Sequence, residues 1–194
     1  LEADLMHANP RKMPKHSKSL ISLLASSDVR HVCEVGTYEA ENAFWLAKEF
    51  PQARFVLVDP YVAVGQAHKH GPIGSLGHQE MAGILLKAVG AMQPFRERVE
   101  WRFAQDFQVA NQYQDNTFDL VFLDSLHTRG SMDVSLPLWW PKVRPGGFYA
   151  GHDYASQMEL VGKWGVKAAV EAFASGSNLP VQVLDGKVWA IKKE

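Results

Sequence analysis

Four residues in the C-terminal half of the sequence could do chemistry together. Asp124 ends an apolar run, Leu120-Val121-Phe122-Leu123, and His127 follows three residues later. His152 and Asp153 end a second run, Phe148 to Tyr154. If the two runs are neighbouring strands, two carboxylates and an imidazole reach one rim. Carboxylates with water and a substrate oxygen suit a hard divalent cation such as Mg2+. Such a cation lowers the pKa of a bound hydroxyl. His127, whose ordinary pKa lies near neutrality, is the candidate to take the proton. Taken singly, each group has a plainer role, Asp124 as a helix N-cap and His152-Asp153 as a polar turn. Convergence at strand ends is what favours chemistry.

The elements that would position these groups can be read outward from Phe118 to Leu123. An apolar run without a polar break predicts a strand buried on both faces, as inside a parallel sheet. Open α/β sheets place ligands at the carboxyl ends of such strands. Upstream, His31 to Val35 is a short strand broken by Gly36, and Glu41 to Phe50 has helical spacing before Pro51. Phe55 to Val58 is a second buried strand ending on Asp59, which completes a βαβ unit. Helical spacing resumes at Met81 to Met92, Val99 to Ala104 is a third strand, and Gln112 to Thr117 is a turn. Met132 to Lys142 reads as a helix interrupted by Pro137, with Trp139 and Trp140 as core residues. Pro145-Gly146-Gly147 reads as a turn, Phe148 to Tyr154 as a strand and Val166 to Ala174 as an amphipathic helix. Asp185-Gly186 between two apolar runs predicts a hairpin. The expected fold is a doubly wound α/β sheet with an antiparallel hairpin closing one edge.

Two segments differ in texture. Leu1 to Lys18 is polar and basic and reads as an arm, with His7 and His16 solvated; Ser19 to Ser27 reads as a short amphipathic helix. Tyr61 to Gly83 carries five glycines and His68, His70 and His78. It is long for a connection in a compact domain and is expected to be a substrate lid with mobile histidines.

Three acidic positions suggest a nucleoside ligand. Glu34 and Gly36 end the first strand, where a glycine allows close backbone approach and the next helix points its N-terminus. Asp59 lies 23 residues beyond Gly36, the distance at which such folds bind ribose hydroxyls. Gln105-Asp106, after the third strand, could reach an adenine edge. The glycine fingerprint of dinucleotide sites is missing, because positions 38 and 40 are Tyr38 and Ala40; this disfavours a nicotinamide dehydrogenase.

Composition narrows the classes further. At 194 residues the chain is most simply one domain, and its 46% apolar share is ordinary for a globular protein. A net charge of −1 argues against a general nucleic-acid binder. The single cysteine, Cys33, sits in an apolar run and cannot form an internal disulfide. No apolar stretch is long enough for a membrane span, so no membrane partner is expected and the expected location is cytoplasmic. A homo-oligomer is compatible with the sequence and not specified by it.

With these residues in hand, the chain from about Ser19 to Lys193 resembles the class I S-adenosylmethionine-dependent methyltransferases. It is most similar to the small-molecule O-methyltransferases that include macrolide-sugar and cephalosporin-pathway members. The first motif of that family matches at Glu34 to Asn42, with Ala40 in place of its second glycine and Asn42 in place of Ser or Thr. Asp59 falls in the second motif. The most specific match is Asp124-Ser125-Leu126-His127, followed by Asp133, Trp139-Trp140-Pro141, Pro145-Gly146-Gly147 and Gly151-His152-Asp153-Tyr154. Gly165 to Val170 resembles the helix that comes next. The resemblance implies a Rossmann-like, mostly parallel seven-stranded sheet and a small-molecule hydroxyl as acceptor. It implies S-adenosylmethionine held by Glu34, Gly36, Thr37, Tyr38, Asp59, Pro60, Gln105, Asp106 and Asp124. It further implies Mg2+ or another divalent cation on Asp124, His152 and Asp153, with His127 as the base. Two rival readings are a metal-independent methyltransferase of the same fold and a catalytically silent cofactor-binding protein, which the altered first motif keeps open.

Overall fold

The computed structural model describes residues 12–62 and 76–194. His31–Val35 (β1), Arg54–Val58 (β2), Val99–Arg102 (β3), Phe118–Leu123 (β4), Val143–Gly151 (β5), Gln182–Leu184 (β6) and Val188–Lys192 (β7) form one seven-stranded sheet in the order β3-β2-β1-β4-β5-β7-β6. The first five strands are parallel, and β7 runs antiparallel to both β5 and β6. The expected doubly wound sheet and its C-terminal hairpin are therefore present. The hairpin turn takes positive φ at both Asp185 (48°) and Gly186 (81°), the twist that matches paired strands.

Strand periodicity sorts the side chains into two cores. One face carries Val32, Phe55, Leu57, Leu120 and Phe122 against the helices Lys15–Leu24 (α1), Glu41–Glu49 (α2) and His78–Met92 (α3). The other carries Cys33, Val35, Val121, Leu123 and Tyr149 against Asp106–Val109 (α4), Arg129–Trp139 (α5) and Val166–Gly176 (α7). A short helix, Gln157–Leu160 (α6), sits between β5 and α7. All six residues of β4 are buried, as an apolar central strand requires.

Several boundaries move. The N-terminal arm is shorter than expected, because α1 begins at Lys15, directly after Pro14. Its face is set by Leu20 and Leu24, and that spacing extends back to His16. The expected lid also shrinks. His78 to Gly83 already belongs to α3, whose start is secured by the Glu80 carboxylate accepting from Gly77 N at 2.9 Å. Most of the rest, including His68 and His70, lies outside the described residues, as does His7. α5 runs through Pro137 without a break, anchored by buried Met132, Leu136 and Trp139. The expected turn at Pro145-Gly146-Gly147 is an irregularity within β5, where the register against β4 shifts between Phe118 and Leu120. Lys142 and Arg144 are paired with Asp115 and Asp119. Among the described residues no helix is long and apolar enough to cross a membrane.

The strand order reverses between β1 and β4, and there the strand ends approach closely. Gly36 has φ +88°, and a Cβ on it would lie 2.1 Å from the backbone oxygen of Asp124. The glycine is thus required by the neighbouring strand end, before any ligand is considered. Gly36→Ala should cost more than about 3 kcal/mol in denaturant unfolding, through the clash and the left-handed backbone together. A loss below about 1 kcal/mol would show that the two strand ends part easily.

Candidate functional site

The carboxyl ends of β2, β1, β4 and β5 form one continuous rim. Each strand is followed by a residue pinned by one more ladder-like hydrogen bond. Asp59 N donates to Arg102 O (3.1 Å), Gly36 N to Val58 O (2.8 Å), Asp124 N to Val35 O (2.7 Å) and His152 N to Leu123 O (3.1 Å). These bonds extend the sheet by one residue and fix where the chemistry-bearing side chains leave it.

One half of the rim is organised by Asp59. Its carboxylate accepts from Tyr38 N and Tyr61 N, both at 2.9 Å, and from the amide of Thr37. Burial raises its pKa, and the three amides partly oppose that by favouring the charged form. Tyr38 (φ 49°), Ala40 (φ 59°) and Tyr61 (φ 48°) all sit in the left-handed region, and the Tyr61 hydroxyl donates to Tyr38 O at 2.7 Å. Left-handed residues with side chains persist only where surrounding contacts over-determine them. Thr37 is buried, and its Oγ1 has no partner among the described residues. Glu34 is buried below the rim. Desolvation first, and then the Asp124 charge, push its carboxyl well above the usual range. Asn42 donates to it at 3.2 Å and accepts from Ser17 Oγ at 2.8 Å, so the departure from Ser or Thr at position 42 links α1 to β1. Pro60 is half-buried beside Asp59.

Gln105 and Asp106 open α4 after β3. Asp106 caps its own helix through Phe107 N at 2.8 Å, and its other carboxylate oxygen accepts from Ser135 Oγ of α5. Its carboxylate therefore ties α4 to α5, and Gln105 takes the N-cap position. Neither group has its hydrogen-bonding geometry set by a neighbour across the rim.

The other half holds the constellation predicted from the sequence. Asp124, His152 and Asp153 each bring a ligand atom to within 4.8 Å of the others. His127 Nε2 stands between the two carboxylates, 3.3 Å from Asp124 Oδ1 and 3.0 Å from Asp153 Oδ2. His152 Nδ1 lies 3.4 Å from the same Asp153 oxygen. Asp153 has φ 61°, which turns its side chain back toward His127. Burial by itself would lower the His127 pKa; hydrogen bonds to Asp124 and Asp153 outweigh it and raise the pKa to about 9. The same contacts overcome burial at Asp153 and hold its carboxyl below the usual range. The donor types and their spacing fit a divalent cation.

Two further residues reach this half. The Trp164 indole stacks on the His127 ring, with centroids 4.2 Å apart and planes at 18°. Gly165 N donates to His127 O at 2.9 Å, and Glu159 accepts from Val166 N and Lys167 N, so α6 and the start of α7 fold over His127. His16 of α1, expected to be solvated, stands edge-on to His152 at 4.9 Å and stacks over Phe122 at 6.4 Å. Its pKa is lowered by burial and by His152. The signal for His16 was its place four residues before Leu20 on the stripe that continues to Leu24. Trp164 gives no comparable signal, because only the fold of the Ser156–Gly165 segment brings it to His127.

A family model described as a methyltransferase domain matches residues 33–154, from β1 to just beyond Asp153. The chain belongs to this methyltransferase family. No curated protein matches the chain in sequence. Among solved structures, an O-methyltransferase from Bacillus cereus in complex with S-adenosylhomocysteine aligns over 99% of this chain and 86% of its own, at 18% identity and a TM-score of 0.67. TomG from Streptomyces achromogenes, an O-methyltransferase of tomaymycin synthesis in complex with S-adenosylmethionine, aligns over 99% and 89%, at 15% identity and a TM-score of 0.60. The methyltransferase PaMTH1 from Podospora anserina, bound to S-adenosylhomocysteine, aligns over 100% and 82%, at 13% identity and a TM-score of 0.64. At these identities the likeness is one of fold.

The His127 geometry predicts a pH dependence of stability. Its folded pKa is raised from 6.5 to about 9, so its contribution is full below about pH 6.5 and is lost as pH rises through about 9. In EDTA-treated protein the unfolding free energy should fall by on the order of 3 kcal/mol across that window. His127→Gln should flatten the slope. An equal slope in that variant would place the titration elsewhere.

Proposed function

We propose that this chain is an S-adenosylmethionine-dependent O-methyltransferase that methylates a hydroxyl of a small molecule with the help of a divalent cation, Mg2+ or a relative. The observation that carries the reading is His127 Nε2 seated between Asp124 and Asp153 on the rim that also bears Asp59. The fold shared with structures that hold S-adenosylhomocysteine or S-adenosylmethionine supports the choice of cofactor.

In this reading the Asp59 side of the rim binds the nucleoside. The three backbone amides take three of the roughly four lone-pair sites of the Asp59 carboxylate, and the one that remains accepts from a ribose hydroxyl. The unpartnered Thr37 Oγ1 supplies a further polar contact, and Gly36, Tyr38 and Pro60 shape the approach. Glu34 holds a polar environment beneath the amino-acid end. Gln105 and Asp106, at the head of α4, face the base. Asp124, His152 and Asp153 are the residues that would hold the cation. When bound, the sulfonium supplies the methyl group and the cation favours the ionised form of the acceptor hydroxyl.

His127 takes the hydroxyl proton on Nε2. Bound S-adenosylmethionine would supply the methyl carbon to that oxygen, its carbon–sulfur bond breaking with the electron pair going to the thioether. Positioning and charge account for most of the rate in such a displacement. In the metal-free protein the two carboxylates hold a proton on His127. With a cation held by Asp124, His152 and Asp153, the carboxylates would hold that proton less strongly and His127 would be free to act as a base. A metal-independent enzyme is the second reading, in which His127 would act as a base only as pH rises toward about 9, where it loses the proton that Asp124 and Asp153 hold on it.

Three outcomes test the reading. Asp59→Ala should weaken S-adenosylhomocysteine binding by roughly 1.5–3 kcal/mol in calorimetry; unchanged affinity would remove Asp59 from the site. His127→Ala should lose roughly 10²–10⁴-fold in methyl-transfer rate with partial recovery at high pH, against a hydroxyl acceptor panel. Asp124→Asn and Asp153→Asn should abolish both activity and its response to Mg2+ while sparing cofactor binding. Full activity in EDTA would rule for the metal-independent form.

A further inference from the structure

We infer that the rim selects a borderline transition dication, of the Co2+ or Zn2+ kind, over Mg2+, and that the His152 imidazole sets this selection. The inference rests on the proposed reading in one respect only, that Asp124, His152 and Asp153 hold a cation.

The argument starts from donor type. Mg2+ is a hard ion that takes oxygen ligands in near-octahedral geometry and gives up its waters reluctantly. Imidazole nitrogen suits Zn, Fe, Ni and related ions. Of the three groups whose ligand atoms lie within 4.8 Å of one another, one is a nitrogen donor. Ligands on one such ion sit about 2.1 Å from it, so their mutual spacing is roughly 3–4.2 Å. Small side-chain movements therefore close the observed set onto a single ion.

The imidazole is also pre-placed. His152 N is pinned to Leu123 O at 3.1 Å, so the backbone leaves the sheet at a fixed point. The ring lies with Nδ1 3.4 Å from Asp153 Oδ2 and its side chain is 18% exposed. His16 abuts it edge-on at 4.9 Å, with the ring of Phe122 behind His16. A histidine held on one side by a carboxylate and on the other by a second ring does not have to be recruited from solvent when the ion arrives. The edge-on His16 ring limits how far the imidazole can turn, so less side-chain freedom is lost when it ligates. An oxygen donor at position 152 would make the set all-oxygen and remove the bias.

Most sites bind late first-row dications more tightly than Mg2+, so the ratio in one protein does not isolate His152. The change of that ratio on substitution does. The full chain, stripped with EDTA, is titrated by calorimetry with CoCl2, MnCl2 and MgCl2, as unmodified protein and as His152→Glu. The unmodified protein should bind Co2+ at least about 100-fold more tightly than Mg2+, and His152→Glu should shrink that ratio by at least about tenfold, chiefly by weakening Co2+. An unchanged ratio in His152→Glu, or Mg2+ as tight as Co2+ in the unmodified protein, overturns the inference. Should His152→Glu fail to fold, His152→Asn reads the same ratio. In addition, the unmodified Co2+ complex should show a far-shifted, exchangeable imidazole N–H proton signal that persists in His127→Gln; its absence overturns the inference. Binding of none of the three ions overturns both this inference and the metal part of the proposed function. Methyl transfer that depends on a dication, with a ratio indifferent to position 152, overturns the inference alone.

Discussion

The close approach of Gly36 to the carbonyl of Asp124 is the contact on which the rest of the rim depends. β1 and β4 are the strands between which the order reverses, and the crevice outside their ends is where an open parallel sheet admits a ligand. A side chain at position 36 would meet Asp124 O at 2.1 Å, so only a glycine lets Asp124 N reach Val35 O. That bond sets the height at which the Asp124 carboxylate leaves the sheet. The same register, carried across to β5, sets the height of His152 and Asp153.

On either side of this seam the protein holds strained backbone with carboxylates. Asp59 gathers amides from two loops and thereby stabilises left-handed turns at Tyr38 and Tyr61. Asp153 is itself left-handed and is held by His127 and His152. Both aspartates thus shape the rim with interactions that leave acceptor capacity unused. Their structural and chemical roles are not alternatives. A carboxylate that a loop wraps around is also one whose remaining lone pairs are aimed.

The chemical half of the rim is closed by parts far apart in the chain. α1 contributes His16, β5 ends on His152 and Asp153, and the approach to α7 lays Trp164 flat on His127. Gly165 makes that last placement possible. A Cβ there would lie 2.6–2.8 Å from Arg129 at the start of α5, so the two helix starts cross at backbone distance. The result is an imidazole with its ring plane fixed on one face and its Nε2 fixed between two acids.

Local pattern was enough for the strands, because a buried parallel strand must be apolar on both faces and these runs are. It was also enough for the convergence of Asp124, His127, His152 and Asp153, since a carboxyl-end residue of one parallel strand must neighbour that of the next. Local pattern misjudged what depends on contacts across the fold. His16 looked like part of a polar arm until α1 packed its Leu20–Leu24 face on the sheet. Asp106 looked free to meet a ligand, yet Ser135, 29 residues away, takes one of its oxygens. Gly36 looked like a concession to a ligand, yet it is a concession to β4. Trp164 had no pattern at all, since a stack on His127 exists only once α6 and α7 have folded over it. Residue types and strand periodicity are properties of short stretches and are legible there. Which side chain fills the space above a rim is decided by which distant segments fit against it.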